Sequence, residues 1–181
     1  RRLRAPWAAS AAGLLFAVLF TASLLLLRNQ ATVTATDAEL ALIYARGEDL
    51  AIVIGGLYLA PFAGIMFLWF VAVIRDQLGE REDRFFATVF FGSGLVFVAL
   101  LFAASAVGSA STVGVRYLDQ PPPSAETVGL MRAISYTLLF AFATRAAAVF
   151  LFATATIGLK GAVFPRWLAL TGYLLGAVLL L

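Results

Sequence analysis

The sequence contains neither cysteine nor histidine in its 181 residues. Without cysteine the chain forms no disulfide and offers no thiolate as nucleophile or metal ligand. Without histidine it lacks a common zinc and haem ligand and the side chain that most often serves as general base near neutral pH. We therefore expect no metal site, no cofactor and no catalytic residue, and predict that the protein is not an enzyme.

Charge is also scarce. Only 13% of the residues are charged, 62% are hydrophobic and the mean hydropathy is +0.97, whereas soluble domains are close to half apolar and a quarter charged. This composition predicts an integral membrane protein with a single membrane domain over residues 1–181. The net charge of +3 requires no nucleic-acid partner, because membrane proteins concentrate arginine at cytoplasmic helix ends.

Long uncharged runs predict the membrane spans, since about 20 apolar residues cross the hydrocarbon layer as a helix. The fold class predicted is an all-α, polytopic transmembrane helical bundle with four complete spans plus the start of a fifth. We expect the fifth helix to continue beyond Leu181. The predicted spans are about 5–27, 50–74, 85–107, 133–159 and 163–181.

The segments between the runs carry cap and turn signals. Thr36 and Glu39 form a capping-box pattern and Gly47 is a stop signal, which predicts a short surface helix over about 37–46. Glu48 and Asp49 precede the second span, where the helix dipole favours negative charge, so we expect them to be structural.

The later connections differ from one another in character. The charged turn 75–84 predicts ion pairs or a docking surface for a partner. From 109 to 125 the sequence predicts an irregular segment, near the end of which Ser124 is a predicted N-cap. The brevity of the turn 75–84 predicts that the second and third spans are antiparallel neighbours.

Small residues recur at helical spacing in several spans and predict close helix packing. Pro61 lies among them and predicts a kink, because it cannot donate a backbone hydrogen bond to the carbonyl of Leu57. The residues predicted to pack helices are Gly56, Ala60, Gly64, Gly92, Gly94, Gly172 and Gly176.

Arg145 interrupts the apolar run between Met131 and Lys160. Arginine stays protonated, and insertion scales put its cost at mid-helix at about 2.5–3.5 kcal/mol. Two interpretations stay open: the side chain reaches toward the outer boundary, or it meets a partner. No acidic residue lies inside the predicted spans, so the partner would be carbonyls, an aromatic face, a lipid, an anion, another subunit, or a hydroxyl such as Thr88, Ser93 or Thr137.

Counts of lysine and arginine predict the orientation. With a cytoplasmic N-terminus, eight basic residues lie in inner segments and four in outer loops, with Arg145 making up the total of 13. The positive-inside rule then places the N-terminus in the cytoplasm. Arginine outnumbers lysine by twelve to one, usage typical of a GC-rich bacterial genome, so we expect a bacterial plasma membrane.

Two functional classes agree with these features. The first is a non-enzymatic homo-oligomer or a small structural or assembly subunit of a membrane complex, with the lipid bilayer and other membrane subunits as partners. The alternative is a channel or transporter for an anion or an anionic lipid, in which Arg145 acts beside Pro61, Ser93 and Thr88. The mostly apolar spans show no polar stripe that would line a pore.

Overall fold

The computed structural model describes residues 5–28, 36–78, 84–160 and 165–181. Within these ranges 92% of the residues are helical and no strand is present, so the predicted all-α fold is confirmed. Four helices are long and apolar enough to cross a membrane. The chain is therefore a multi-pass membrane protein.

The first half of the chain contains two membrane spans joined through a short helix. Span 1 is α1 (Ala5–Arg28), and α2 (Asp37–Arg46) has the bounds predicted from its caps. Span 2 is a continuous helix in three parts, namely α3 (Leu50–Ile52), the π-helical segment π1 (Val53–Leu59) and α4 (Ala60–Leu78).

The second half contains two longer spans and a final helix. Span 3 is α5 (Arg84–Tyr117). Span 4 is again continuous and consists of α6 (Ala125–Tyr136), the π-helical segment π2 (Thr137–Ala143) and α7 (Thr144–Lys160). The final helix is α8 (Arg166–Leu180), which is shorter than the four spans.

Local capping fixes both ends of α2. The Thr36 hydroxyl accepts a bond from the Glu39 backbone N–H at 3.3 Å, and the Glu39 carboxylate accepts one from the Thr36 N–H at 2.7 Å. The bond from the Thr36 N–H, together with one that the Thr36 hydroxyl donates to the carboxylate at 3.1 Å, holds the pKa of Glu39 below its ordinary value. Gly47 ends the helix in the left-handed conformation with φ of 73°, which glycine adopts without steric cost.

Span 3 differs from its prediction. The sequence predicts an irregular segment from 109 onward, but α5 continues to Tyr117. Ser109 and Thr112 are each only 1% exposed, so these polar residues form the buried face of a longer helix. In residues 109–117, packing against neighbouring elements stabilises the helix despite the low apolar content of the segment.

Pro61 directly follows the π-helical segment of span 2. The Ala60 N–H bonds to the carbonyl of Gly55, five residues earlier, instead of the usual four. Pro61 lacks an N–H, so it adds no further bond to this ladder. A π segment thus lies directly on the N-terminal side of Pro61, next to the position where the sequence predicts a kink.

An aromatic cluster joins all four spans near the end of the bundle that holds Arg84 and Lys160. Phe90 stacks on Phe150 with ring centroids 4.8 Å apart, and Phe67 contacts Phe150 at 4.9 Å and Phe97 at 5.1 Å. Phe16 of span 1 reaches Phe67 at 5.0 Å. These tilted and offset arrangements are the favoured geometries of aromatic pairs.

The spans follow one another in space much as they do in sequence. Span 1 packs on span 2, span 2 on span 3, span 3 on span 4, and α8 packs on α7. Lys160 lies over the Phe86 ring at 4.4 Å, which aligns the ends of spans 3 and 4. We call this end of the bundle the Lys160 end and the opposite one, where α2 lies, the α2 end.

Some predicted features lie outside the described residues. These are the basic segment 1–4, residues 79–83 of the charged turn 75–84 with its predicted ion pairs, and residues 161–164 of the turn 161–165.

Candidate functional site

Arg145 lies on the surface of span 4 and hydrogen-bonds to its own helix. One guanidinium nitrogen donates to the carbonyl of Ala141 at 2.6 Å and to that of Phe140 at 3.3 Å. Both acceptors belong to π2, where the hydrogen-bond register shifts by one residue and carbonyls become accessible. The guanidinium has five N–H donors, so this exposed group keeps donors for a further partner.

The depth of Arg145 agrees with a side chain that reaches toward the α2 end. Fifteen residues separate it from Lys160, which corresponds to about 22 Å of helix in a hydrocarbon layer about 30 Å thick. Its two acceptors precede it in sequence, and helical side chains point toward the N-terminus of their helix. The guanidinium therefore lies between mid-bilayer and the boundary at the α2 end.

The other residues proposed to act with Arg145 lie elsewhere and have local partners. The Thr88 hydroxyl donates to the Arg84 carbonyl at 2.8 Å, and the Ser93 hydroxyl donates to the Val89 carbonyl at 2.6 Å. Pro61 is half-buried in span 2. Across the described ranges, the structure shows no hydrogen bond that joins Arg145 to Thr88 or Ser93.

Several predicted packing residues do contact a neighbouring helix. Methyl groups placed on Gly64, Gly172 and Gly176 would meet atoms of other helices at 2.3, 3.3 and 3.2 Å, and Gly94 lies against phenylalanine rings at 3.4 Å. Ala60 is fully buried. The prediction is wrong for Gly92, which faces open space within the described part of the chain: a methyl group there would meet none of its atoms within 4 Å.

A cleft of about 250 Å³ opens between span 1 and span 4, with span 3 as its floor. Leu101 and Leu139 line its apolar part, and Tyr136 and Phe140, which are 45% and 57% exposed, form its rim. Because these rim residues face the outside of the bundle, the cleft is open toward the lipid. The full lining is Ser23, Leu24, Leu27, Leu101, Ala104, Ser105, Gly108, Ser109, Arg132, Ser135, Tyr136, Leu139 and Phe140.

Four serines give this cleft a polar end, and their hydroxyls are not equivalent. Ser23 donates to the Gly55 carbonyl and Ser135 to the Ala104 carbonyl, both at 2.8 Å. The Ser109 hydroxyl, only 1% exposed, has no hydrogen-bond partner among the described residues. An unpartnered buried hydroxyl costs about 1–3 kcal/mol; this oxygen has almost no exposed surface and lies against Gly56 of span 2.

Gly56 creates the space in which the Ser109 side chain lies. A methyl group on Gly56 would come within 2.1 Å of the Ser109 Oγ, closer than any atomic contact allows. The predicted packing role of Gly56 is therefore specific: it lets span 3 approach span 2 with a hydroxyl between the two helices.

Arg132 is the charged group of the cleft. Its side chain is 9% exposed and lines the cavity beside Ser135 on the same helix. Buried arginine is rare because desolvation of the charge is costly. Its five N–H donors make this end of the cleft suited to an anionic group.

The polar and apolar parts of the cleft lie at different depths. Counted along the helices from Lys160 or Arg84, Leu101 and Phe140 lie at about 25–30 Å, within or at the edge of the hydrocarbon layer. By the same measure Ser109 and Arg132 lie at about 38–42 Å, at the level of lipid head groups. The cleft therefore changes from apolar to polar where the bilayer does.

A buried ion pair ties span 2 to span 3 just beyond the cleft. Arg116 donates to both carboxylate oxygens of Asp49, at 2.9 and 2.5 Å, and to the Tyr44 carbonyl at 3.4 Å. The Asp49 side chain is completely buried. Asp49 makes no side-chain capping bond at the start of span 2. The sequence predicts a structural role for it through the helix dipole, and the structure adds this ion pair.

A second cavity of about 140 Å³ lies under α2. Tyr44, Glu48 and Asp49 line it on one side, and Arg132 lines both this cavity and the cleft. Burial raises the pKa of the Tyr44 phenol, although hydrogen bonds with Thr112 and Ser111 oppose the shift.

A carboxylate links α2 to the start of span 4. Asp37 accepts a hydrogen bond from the Ala125 backbone N–H at 2.6 Å, next to the predicted N-cap Ser124, whose hydroxyl accepts from the Thr127 N–H. Asp37 therefore satisfies an amide at the N-terminus of α6 and holds α2 against it.

The cleft residues were not predicted from the sequence, although a periodic signal exists. Ser105, Ser109 and Thr112 recur at spacings of four and three residues, which places them on one helical face. This polar face was missed because the predicted span 3 ends at 107, and Arg132 was missed because the predicted span 4 begins at 133.

The described ranges hold no cluster of three or more aspartate, glutamate, cysteine or histidine residues suited to a metal ion. No protein-family model, no curated protein and no solved structure matches this chain.

Proposed function

We propose that this multi-pass membrane protein is a non-enzymatic binder of a phosphate-bearing amphiphile, such as a membrane phospholipid. The observation that carries the proposal is the buried Arg132 at the serine-lined end of a lipid-facing cleft. This keeps the class of ligand expected for an anionic-lipid protein but places it at Arg132 and not at Arg145.

The cleft suits both halves of such a ligand. An acyl chain would lie along Leu101, Leu139 and Phe140, held by van der Waals contacts, because a chain that comes from the bilayer gains no hydrophobic transfer energy. A phosphate would accept charge-assisted hydrogen bonds from Arg132. A free inorganic anion would occupy only the polar end of the cleft.

Binding of lipid by Arg132→Gln tests this proposal. The protein is purified in mild detergent, and phospholipid affinity is measured by native mass spectrometry or by displacement of a fluorescent lipid. Loss of hydrogen bonds to a charged group, about 1.5–3 kcal/mol, predicts about a 10- to 100-fold weaker affinity.

Two matched variants serve as controls. Arg46→Gln removes an exposed arginine at the same end of the bundle, and Ser93→Ala removes a hydroxyl bonded to its own helix. Both should bind lipid like the unchanged protein. The proposal is refuted if Arg132→Gln binds lipid as tightly as Arg46→Gln does. It is also refuted if inorganic phosphate binds the protein as tightly as the lipid.

A second candidate function, a subunit of a homo-oligomer or of a larger membrane complex, is favoured by Arg145. This guanidinium is exposed at bilayer depth and retains N–H donors after its two bonds to π2. Pairing of this guanidinium with an acidic side chain of another subunit would cost less free energy than its exposure to lipid tails.

Arg145→Ala tests the second candidate. If another subunit holds Arg145, the variant should lose assembly in mild detergent, seen by size-exclusion chromatography with light scattering. Arg166→Ala, an exposed arginine near the Lys160 end, is the control. Unchanged assembly of Arg145→Ala would contradict this candidate and leave the self-contained hydrogen bonding to π2 as the full account of this side chain.

We also propose a bacterial plasma membrane with the N-terminus in the cytoplasm, supported by the distribution of lysine and arginine. The α2 end, with the head-group part of the cleft, then faces outward. The chain has no cysteine, so single cysteines introduced at Glu126 and Asp76 report the two sides. A membrane-impermeant maleimide should label intact cells at 126 and not at 76; the reverse pattern would overturn the orientation.

A further inference from the structure

We propose, on the basis of the lipid-binding function above, that the bound head group extends past Arg132 into the cavity under α2. The extension would carry N–H or O–H donors beyond the phosphate, as ethanolamine and glycerol head groups do. The inference rests on the juxtaposition of two cavities that share Arg132 as a wall residue.

The position of Arg132 fixes where the phosphate ends and the remainder of the head group begins. On one side of it lies the cleft with Ser109 and Ser135, and on the other lies the cavity of about 140 Å³. A liquid water occupies about 30 Å³, so this second cavity has room for a group of a few non-hydrogen atoms. A phosphate held by Arg132 would direct its substituent into that space.

The cavity under α2 offers one accessible carboxylate. Glu48 lines it, and the oxygens of an ionised carboxylate are hydrogen-bond acceptors only. The Asp49 side chain has no exposed surface and is bound by Arg116, so it is not available to a ligand. Glu48 meets Arg46 only at 3.8 Å, and both side chains are more than half exposed, so this carboxylate is accessible.

The Glu48 carboxylate discriminates between head groups. An ethanolamine ammonium or a glycerol hydroxyl donates to a carboxylate, whereas the methylated ammonium of choline has no N–H donor. Phosphatidic acid has no substituent to reach the cavity. The negative charge of Glu48 attracts the ethanolamine ammonium more than a neutral glycerol hydroxyl. Removal of this charge should therefore lower the affinity for ethanolamine lipid more than the affinity for glycerol lipid.

A panel of four lipids with identical acyl chains tests the inference on the full chain in nanodiscs. We expect phosphatidylethanolamine and phosphatidylglycerol to bind at least several-fold more tightly than phosphatidylcholine and phosphatidic acid. Glu48→Gln should lower ethanolamine affinity several-fold and glycerol affinity less. Glu126→Gln, an exposed glutamate at the same end, is the matched control and should change neither affinity.

The outcomes separate this inference from the function on which it rests. Equal affinity for all four lipids, combined with loss of binding in Arg132→Gln, would overturn the head-group inference and keep the lipid site. Choline binding as tight as ethanolamine binding would also overturn it. Unchanged binding in Arg132→Gln would instead refute the lipid site itself.

Discussion

The ion pair between Asp49 and Arg116 gives the sharpest stability prediction, and the perturbation is Arg116→Met. Methionine keeps a long apolar side chain at this position but removes both hydrogen bonds to the carboxylate. The Asp49 side chain has no exposed surface, so its charge cannot turn to water without local rearrangement. The variant therefore leaves a buried carboxylate that has lost its cation.

The structure sets the size of the effect. Removing one partner of a buried ion pair costs about 3–5 kcal/mol, and the lower end applies here because the Arg116 side chain is 38% exposed. A loss of about 3 kcal/mol lowers the melting temperature of a chain of this length by about 6–12 °C, at about 2–4 °C per kcal/mol.

Thermal unfolding in detergent, followed by circular dichroism, measures this shift. Asp49→Asn combined with Arg116→Met should recover most of the loss, because the double variant no longer buries a charge. Arg46→Met is the control: it removes an exposed pair with Glu48 at 3.8 Å, worth at most about 1 kcal/mol. If Arg116→Met melts within the error of Arg46→Met, the reasoning about the buried carboxylate is wrong.

Two further predictions test packing and ionisation. Gly64→Ala should destabilise the bundle, because the added methyl would lie 2.3 Å from the Phe102 ring. Gly92→Ala, with open space around it, should melt at or above the melting temperature of the unchanged protein. Equal melting temperatures of the two variants would contradict the close approach of spans 2 and 3. Because the folded protein raises the pKa of Tyr44 above its ordinary 10.0, the unfolded chain loses that proton first and stability should fall as the pH rises above 10.0. Tyr44→Phe should flatten this part of the stability–pH curve, and an unchanged slope would exclude Tyr44 as its source.

Features with local causes could be predicted from the sequence. The bounds of α2 follow from Thr36, Glu39 and Gly47, which all act within the helix or one residue beyond it. Span 1 is predicted within one residue of its observed end, because a charged residue closes its apolar run. Both features depend on residues that are neighbours in the sequence, so they can be predicted from a single sequence without the tertiary structure.

Features with distant causes were missed. Span 3 is longer than predicted because Ser109 and Thr112 are buried by other elements, and Asp49 finds its partner 67 residues away at Arg116. Hydrophobicity along the chain reports on transfer into lipid and carries no information about which polar side chains face each other.

The same division applies to the two arginines of span 4. The sequence by itself determines that Arg145 is a membrane-depth charge with no acid in the spans, because that conclusion needs only the order of residues and the length of a helix. Only the tertiary structure decides that Arg145 bonds to its own π-helical carbonyls and that Arg132 is the buried one. Burial depends on which helices flank a position, and the cleft with its serines forms only where spans 1, 3 and 4 meet.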